Sequence, residues 1–299
     1  EALFVELARF RMSSRLLPVV DGANDVSMIQ AAHVGVGISG EEGLQAARSA
    51  DYAIAQFRFL ERLLLVHGRW SYRRISKVAL YSFYKNVLLY TCQFWYVFYN
   101  GFSGQSLFER WTLAAYNVVF TLLPVLAFGL QDQDVRDERM RDYPELYRSG
   151  LRKDHFNFVV YWGWMFNALF HSFVIFFLSV GVFGSGVLAA DGAVFGNWSL
   201  GVFVYTSVVL VVSFKLALES KHWTWLFHAS LWLSLLAYLV WHLVYGSFIL
   251  QLSGYRLGND MYWVPFRLIA APVFWLGCLL VTVAALMRDV VWKYARRTY

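Results

Sequence analysis

The sequence predicts an α-helical polytopic membrane protein, with six transmembrane helices preceded by a short α/β segment. Three observations predict it. Hydrophobic residues make up 59% of the 299 residues and charged residues only 15%, with a mean hydropathy of +0.46, so a water-soluble globule would lack the polar surface to cover itself. The apolar residues are gathered into long runs, and about 20 such residues cross a hydrocarbon core of about 30 Å. The remaining charges cluster between those runs. That arrangement is membrane topology, and it excludes the nucleic-acid partner that a formal net charge of +6 would otherwise suggest.

Residues 1–56 read as soluble α/β, with β-branched or Gly-rich runs at 34–38 and 52–55 between helical pieces. Ser39, three residues before Glu42, fits a capping box that opens a helix through Ala47. From Phe57 the pattern turns helical. The six candidate spans run approximately over 79–99, 111–130, 157–182, 199–217, 223–247 and 264–287. With the α/β segment in the cytosol, the loops 131–156 and 218–222 and the tail after Leu286 are cytosolic, while 100–110, 183–198 and 248–263 lie outside. The charges agree. Arg62, Arg69, Arg73, Arg74 and Lys77 precede the first span, Arg136, Arg139, Arg141, Arg148, Arg152 and Lys153 fill the first inner loop, and Arg288, Lys293, Arg296 and Arg297 end the chain. The outer loops offer little beyond Arg110 and Arg256, as the positive-inside rule requires. A glycosylation sequon, Asn197-Trp198-Ser199, is expected in an outer loop. Cys92 and Cys278 both fall in apolar runs and define neither a disulfide framework nor a zinc site. The chain opens on Glu1 with no signal sequence and is expected to be part of a longer protein.

One motif carries chemistry. Asp21-Gly22-Ala23-Asn24-Asp25 follows the apolar pair Val19-Val20 and precedes a helical run, Val26 to Ala32. A carboxylate at a strand end, with an amide and a second carboxylate one turn later, offers the hard oxygens that hold Mg²⁺ beside a phosphoryl group. Taken alone, an ordinary surface turn accounts for these five residues at least as well. Gly35, Gly37 and Gly40 also satisfy G-x-G-x-x-G, but a dinucleotide site needs a complete βαβ unit with an acidic residue about 20 positions on, and here the next apolar segment is a membrane helix. The glycines are better explained by close packing at a strand end.

The context decides. Asp21 to Ala32, then His33-Val34-Gly35-Val36-Gly37-Ile38-Ser39-Gly40 and Ala50-Asp51-Tyr52-Ala53, resembles the end of the phosphorylation domain of P-type ATPases running into the fifth membrane helix. Val26-Ser27-Met28-Ile29-Gln30 after the Asn-Asp pair is similar to the lipid-flippase branch, where cation pumps have a Pro. Further likenesses are Gly40-Glu41-Glu42-Gly43-Leu44-Gln45-Ala46, Gln56-Phe57-Arg58-Phe59-Leu60, Leu65-Val66-His67-Gly68, Phe83-Tyr84-Lys85-Asn86, Asn100-Gly101-Phe102-Ser103-Gly104-Gln105 and Tyr143-Pro144-Glu145-Leu146-Tyr147. The resemblance covers residues 21 to 299 and is to type IV P-type ATPases that move aminophospholipids such as phosphatidylserine. It implies that residues 1–56 are a partial, haloacid-dehalogenase-like phosphorylation-domain remnant, 57–78 a cytosolic linker helix, and 79–299 transmembrane helices 5–10 with a short tail. It implies Asp21 as a Mg²⁺ ligand, Asp25 in the ion's outer shell, Asn24 ordering the phosphate site, and Lys85, Asn86 and Asn117 along the path of the lipid headgroup. It also implies ATP as energy source, an accessory β-subunit of the cell division control protein 50 family, and residence in Golgi, endosomal or plasma membrane with the α/β part and C-terminus cytosolic.

The residues support a lipid cargo independently. Pumps for Ca²⁺, Na⁺ or K⁺ need carboxylates inside the membrane, and the first two spans contain neither Asp nor Glu. They contain Lys85 and Asn86, then Asn117, Thr121 and Pro124. An ammonium in hydrocarbon is costly and calls for a partner, which an anionic headgroup supplies; the alternative is that Lys85 snorkels to the cytosolic interface. Asn117 divides between interhelical hydrogen bonding and headgroup contact. Pro124 is expected to break or kink its helix. Lys215 and Glu219 read as a helix-end pair at the inner interface, His171, His228 and His242 as packed or hydrogen-bonded, and the abundant Trp and Tyr as an aromatic belt.

The resemblance fails at residues 1–20, where Arg15-Leu16-Leu17-Pro18-Val19-Val20 replaces the family's segment and Val20 stands where a Gly precedes the Asp. The Asp-Lys-Thr-Gly-Thr phosphorylation motif does not occur in these residues, so the chain by itself is not expected to hydrolyse ATP. The competing expectations are a truncated membrane module that binds lipid or the accessory subunit without transport and, more remotely, a cation-transporting pump.

Overall fold

A computed structural model describes residues 2–11, 15–39, 44–183, 192, 194–247, 250–252, 255–257 and 261–298. It divides into two compact units, Glu1–Ser71 with Val135–Arg148, and Tyr72–Asp134 with Ser149–Tyr299.

The first unit begins with helix α1 (Ala2–Arg11) and a three-stranded parallel sheet in the order β1 (Val19–Val20), β2 (Val36–Ile38), β3 (Tyr52–Ile54), in which Val19 faces Val36 and Val36 faces Tyr52. Parallel neighbours need crossovers. Helices α2 (Val26–Ala31) and α3 (Gln45–Ser49) provide them. Val20, Ile29 and Ala46 form the small core between sheet and helices. Gly35 and Gly37 are there for packing, as expected: a Cβ on Gly35 would meet Ile29 Cγ2 at 2.4 Å and one on Gly37 would meet the Ala46 carbonyl oxygen at 2.6 Å. Gly40 and the capping-box residue Glu42 lie outside the described residues. Beyond the sheet, a turn of helix at Phe59–Arg62 widens to a π-helical stretch, Leu63–Gly68. Val66, Trp70 and Met140 close a second small core there, with Trp70 Nε1 donating to the Val135 carbonyl at 3.2 Å.

The second unit is a helical bundle. Among the described residues, five of its helices are long and apolar enough to cross a membrane: α5 (Arg110–Gln131), α7 (Phe158–Phe183), α8 (Asn197–Glu219), α9 (Trp225–Ser247) and α11, which spans Pro272–Ala295 in its apolar part. They match five of the six expected spans. The sixth, expected over 79–99, lies in α4 (Arg69–Tyr99), a 31-residue helix whose length suffices but whose Lys85, Asn86, Gln93 and several tyrosines make it less apolar than the rest. Between α5 and α7 the short helix α6 (Asp137–Asp142) belongs to the first unit. Outward-facing positions of the long helices are apolar, among them Leu126, Phe166, Leu236, Leu276 and Leu279. An exposed apolar face of this extent suits lipid rather than water. Helix α8 is the axis of the bundle: 89% of its apolar stretch is buried, against 28–44% for the other four.

Two expected boundaries are corrected. The run 264–287 is not one helix: α10 (Val264–Ile269) ends before Pro272, and α11 starts at that proline and continues to Thr298. Proline lacks the N–H that would continue α10, and it pushes the preceding residue, Ala271, out of the helical region. Asn197, expected in an outer loop, is the first residue of α8.

Candidate functional site

The acidic turn sits where β1 ends. Asp21 follows the strand and is exposed, and Ala23–Asp25 form a single 3-10 turn leading into α2. The Asp25 carboxylate folds back over the turn, its Oδ2 lying 3.3 Å from where a Cβ on Gly22 would stand. Crevices at the carboxyl ends of parallel strands are the usual ligand sites of such sheets. The donor set fits Mg²⁺: two hard carboxylates and an amide on one turn, Asp21 and Asn24 exposed and Asp25 half-buried. Among the described residues no group of three or more His, Cys, Asp or Glu gathers around a point. A Mg²⁺ ion needs only one or two carboxylates when water and phosphate oxygens complete its shell. On the partner strands, Asp51 Oδ2 accepts from the Gly35 N–H at 2.8 Å and so holds the start of β2.

The second cluster joins α4 to α5. Within α5 the regular helix Arg110–Ala115 opens into a π-helical stretch, Tyr116–Phe120, passes through Thr121 at φ −130° and ψ −3°, and resumes at Leu122–Gln131. The cause is in the sequence. Pro124 has no N–H for the carbonyl of Phe120, four residues earlier, and its ring crowds that carbonyl. The Ser234 hydroxyl of α9 donates to the Phe120 oxygen instead. The break turns Thr121 toward α4, where its Oγ1 donates to the Tyr116 carbonyl and accepts from Lys85 Nζ, both at 2.7 Å. Lys85 is 6% exposed and its Nζ lies 5.6 Å from the centre of the Tyr116 ring, while the Tyr116 hydroxyl donates to the Lys85 carbonyl at 3.1 Å. One residue on, Asn86 Oδ1 accepts from Asn117 Nδ2 at 3.0 Å, and Asn86 Nδ2 donates to the Ser82 carbonyl at 2.9 Å.

The structure therefore brings together all three residues singled out for the headgroup path. Lys85 does not snorkel; its ammonium is held inside the bundle, and no carboxylate pairs with it among the described residues. Asn117 bonds across helices and also remains exposed. Thr121, noted in the sequence only as a polar residue of the second span, turns out to be the hydroxyl partner of Lys85. Helical spacing from Asn117 and proximity to Pro124 were the available signals.

The local pair read between Lys215 and Glu219 is present but is only part of a larger cluster. They are 3.7 Å apart, but each has a closer ionic partner elsewhere: Asp289 for Lys215 and Lys77 for Glu219, both at 2.8 Å. Lys293 approaches Glu219 at 3.3 Å. Asp289 Oδ1 also accepts from Asn167 Nδ2 at 3.1 Å, and its Oδ2 lies 3.5 Å from His171 Nε2, whose ring bonds the Tyr84 hydroxyl through Nδ1 at 2.5 Å. His228 and His242 pack on Trp223 and Tyr238, with ring centres 4.7 and 4.6 Å apart. A further hub was missed altogether. Asp132, 2% exposed, accepts from Arg73 at 2.9 Å and from the N–H groups of Lys221 and His222 at 2.7 and 3.1 Å. It fixes the C-terminal end of α5, and no local spacing announces it.

Comparisons with known proteins follow the same lines. Residues 47–299 match the family model described as the phospholipid-translocating P-type ATPase C-terminal domain. The whole chain is 46% identical, over 300 aligned residues, to the phospholipid-transporting ATPase DRS2 of Saccharomyces cerevisiae, of which it covers 22%. It is 44% identical over 299 residues to a phospholipid-transporting ATPase of Schizosaccharomyces pombe, covering 24% of it. With the mouse phospholipid-transporting ATPase IH it shares 40% over 294 residues, 98% of this chain and 24% of that protein. The chain thus spans about a quarter of the length of these relatives.

Proposed function

The chain belongs to the phospholipid-translocating P-type ATPases, and from that premise we propose that it forms the C-terminal membrane part of a pump that moves an aminophospholipid from the exoplasmic to the cytosolic leaflet. Phosphatidylserine is the preferred cargo in this reading, with phosphatidylethanolamine as a second substrate. Residues 1–56 contribute the end of the phosphorylation domain, 57–78 a linker, and 79–299 six spans, α4 being the first.

The observation that carries the proposal is the buried Lys85 ammonium. It lies on a helix pair, α4 and α5, whose spanning residues include no carboxylate, and its polar side-chain partner is the hydroxyl of Thr121. A neutral oxygen compensates a buried cation incompletely. The phosphate or carboxylate of a passing headgroup completes the compensation, and the exposed amide of Asn117, tied to Asn86, adds hydrogen-bonding capacity at the same level. A cation cargo would meet a fixed ammonium there and no carboxylate on these two spans.

In the phosphorylation domain, Asp21 would hold Mg²⁺ with Asp25 in its outer shell, and Asn24 would order the phosphate site; the ion, when bound, would neutralise phosphate charge. An accessory subunit of the cell division control protein 50 family accompanies the pump in this reading. The test is Lys85→Ala in the full-length enzyme. A hydrogen bond to a charged group is worth about 1.5–3 kcal/mol, so the phosphatidylserine concentration for half-maximal ATPase activity should rise about tenfold or more. An unchanged dependence on phosphatidylserine would remove Lys85 from the path.

A further inference from the structure

We infer that Ser234, on α9, is a positioning residue for the headgroup path: it holds the break in α5 that presents Thr121 to Lys85, without itself touching the lipid. The inference rests on the lipid reading given above. It starts from a single missing proton. Pro124 leaves the Phe120 carbonyl without the N–H that an unbroken helix would place four residues on. An uncompensated carbonyl in the interior of a membrane bundle is expensive, and helix breaks persist there only when a neighbour satisfies them. Ser234 is that neighbour. It is fully buried, and its hydroxyl donates to the Phe120 oxygen.

The rest of α9 braces the same point. Tyr238 and Trp241, on the same face, pack edge-on against the Phe120 ring at 5.2 and 6.0 Å between ring centres. The Tyr238 hydroxyl is in turn bonded to Thr206 Oγ1 of the enclosed helix α8 at 2.7 Å. Backbone and side chain of Phe120 are therefore both gripped from one helix. The next residue is Thr121, whose non-helical backbone angles aim Oγ1 at Lys85 Nζ. Were the grip lost, Pro124 would still leave the Phe120 carbonyl without a donor, the α5 backbone at the break would no longer be fixed, and the Thr121 hydroxyl would no longer be held at the ammonium.

The experiment uses the full-length enzyme and reads three quantities: the phosphatidylserine concentration at half-maximal ATPase activity, the maximal rate, and the phosphoenzyme level formed from ATP. For Ser234→Ala the half-saturating concentration should rise about three- to tenfold, the range a single hydrogen bond supports, with the phosphoenzyme level unchanged. Ser234→Thr, which keeps the hydroxyl, should restore most of the affinity. Pro124→Ala supplies the sharper control, because it returns an N–H to the Phe120 carbonyl and makes the serine hydroxyl redundant. In that background Ser234→Ala should have no further effect on lipid dependence. Equal losses in both backgrounds, or a fall in phosphoenzyme with lipid dependence unmoved, would assign Ser234 to general packing and overturn the inference. Lys85→Ala measured alongside separates the two levels. If it leaves lipid dependence unchanged, the lipid reading itself fails; if it shifts lipid dependence and Ser234→Ala does not, only the positioning role is lost.

Discussion

At the scale of single residues, Asn197 illustrates how a motif loses its meaning in three dimensions. As the first residue of α8 it accepts from the Tyr96 hydroxyl through Oδ1 at 2.6 Å, its Nδ2 is buried, and Ser199 of the sequon is 8% exposed. A glycan acceptor must present its amide freely on surface backbone. The sequon should therefore be silent: endoglycosidase treatment of the full-length protein should produce no mobility shift attributable to Asn197, and Asn197→Gln should leave the electrophoretic mobility unchanged. A shift lost in that variant would contradict the local structure. The triplet was legible in the sequence, but the helix start that disables it was not, because the segment just before it lacks a capping pattern. Lys85, Asn86 and Asn117 were legible for the opposite reason. Polar groups stand out in an apolar run, and family likeness pointed at the same positions.

At the scale of elements, ionic contacts fasten helices that are distant in sequence. Lys215 of α8 and Asp289 of α11 are both buried and 2.8 Å apart. Removing one member of such a pair leaves the other charge uncompensated, at a cost of about 3–5 kcal/mol. Asp289→Ala should therefore lower the thermal unfolding temperature of the detergent-solubilised enzyme clearly, while replacing Asp289 and Lys215 together by apolar residues should cost less than the single change. Equal losses would mean that the pair is not a unit. Helical spacing finds the Lys215–Glu219 pair and nothing beyond it, since periodicity reports only neighbours within a turn or two. Asp289 lies far along the chain and is invisible to that rule. The two helix breaks divide similarly. Pro124 was flagged from the sequence because it interrupts a span, whereas Pro272 was overlooked because the residues on both sides of it stay apolar.

At the scale of the whole molecule, the bundle's outward apolar surface and the distribution of Lys and Arg give one topology. Cysteines introduced at Ser103, between α4 and α5, and at Leu151, between α5 and α7, should label from opposite sides of the membrane of sealed vesicles, each reached by an impermeant reagent on one side only. The native thiols are quiet, since Cys92 and Cys278 are both buried. Labelling of both from one side would remove α5 from the spanning set. Helix α4 is the instructive case. Its Lys85, Asn86 and Gln93 lower its hydropathy below that of the other spans, and two of those three belong to the proposed site. Composition and function compete at such positions, which is where sequence reasoning is expected to stumble.

The enclosure of α8 has a consequence for biosynthesis. Its Lys215 enters the membrane well before the ribosome has made α11, so for part of synthesis an ammonium sits amid assembling helices without the carboxylate that lies 2.8 Å away in the finished bundle. An incomplete chain therefore displays a charge that a complete one hides.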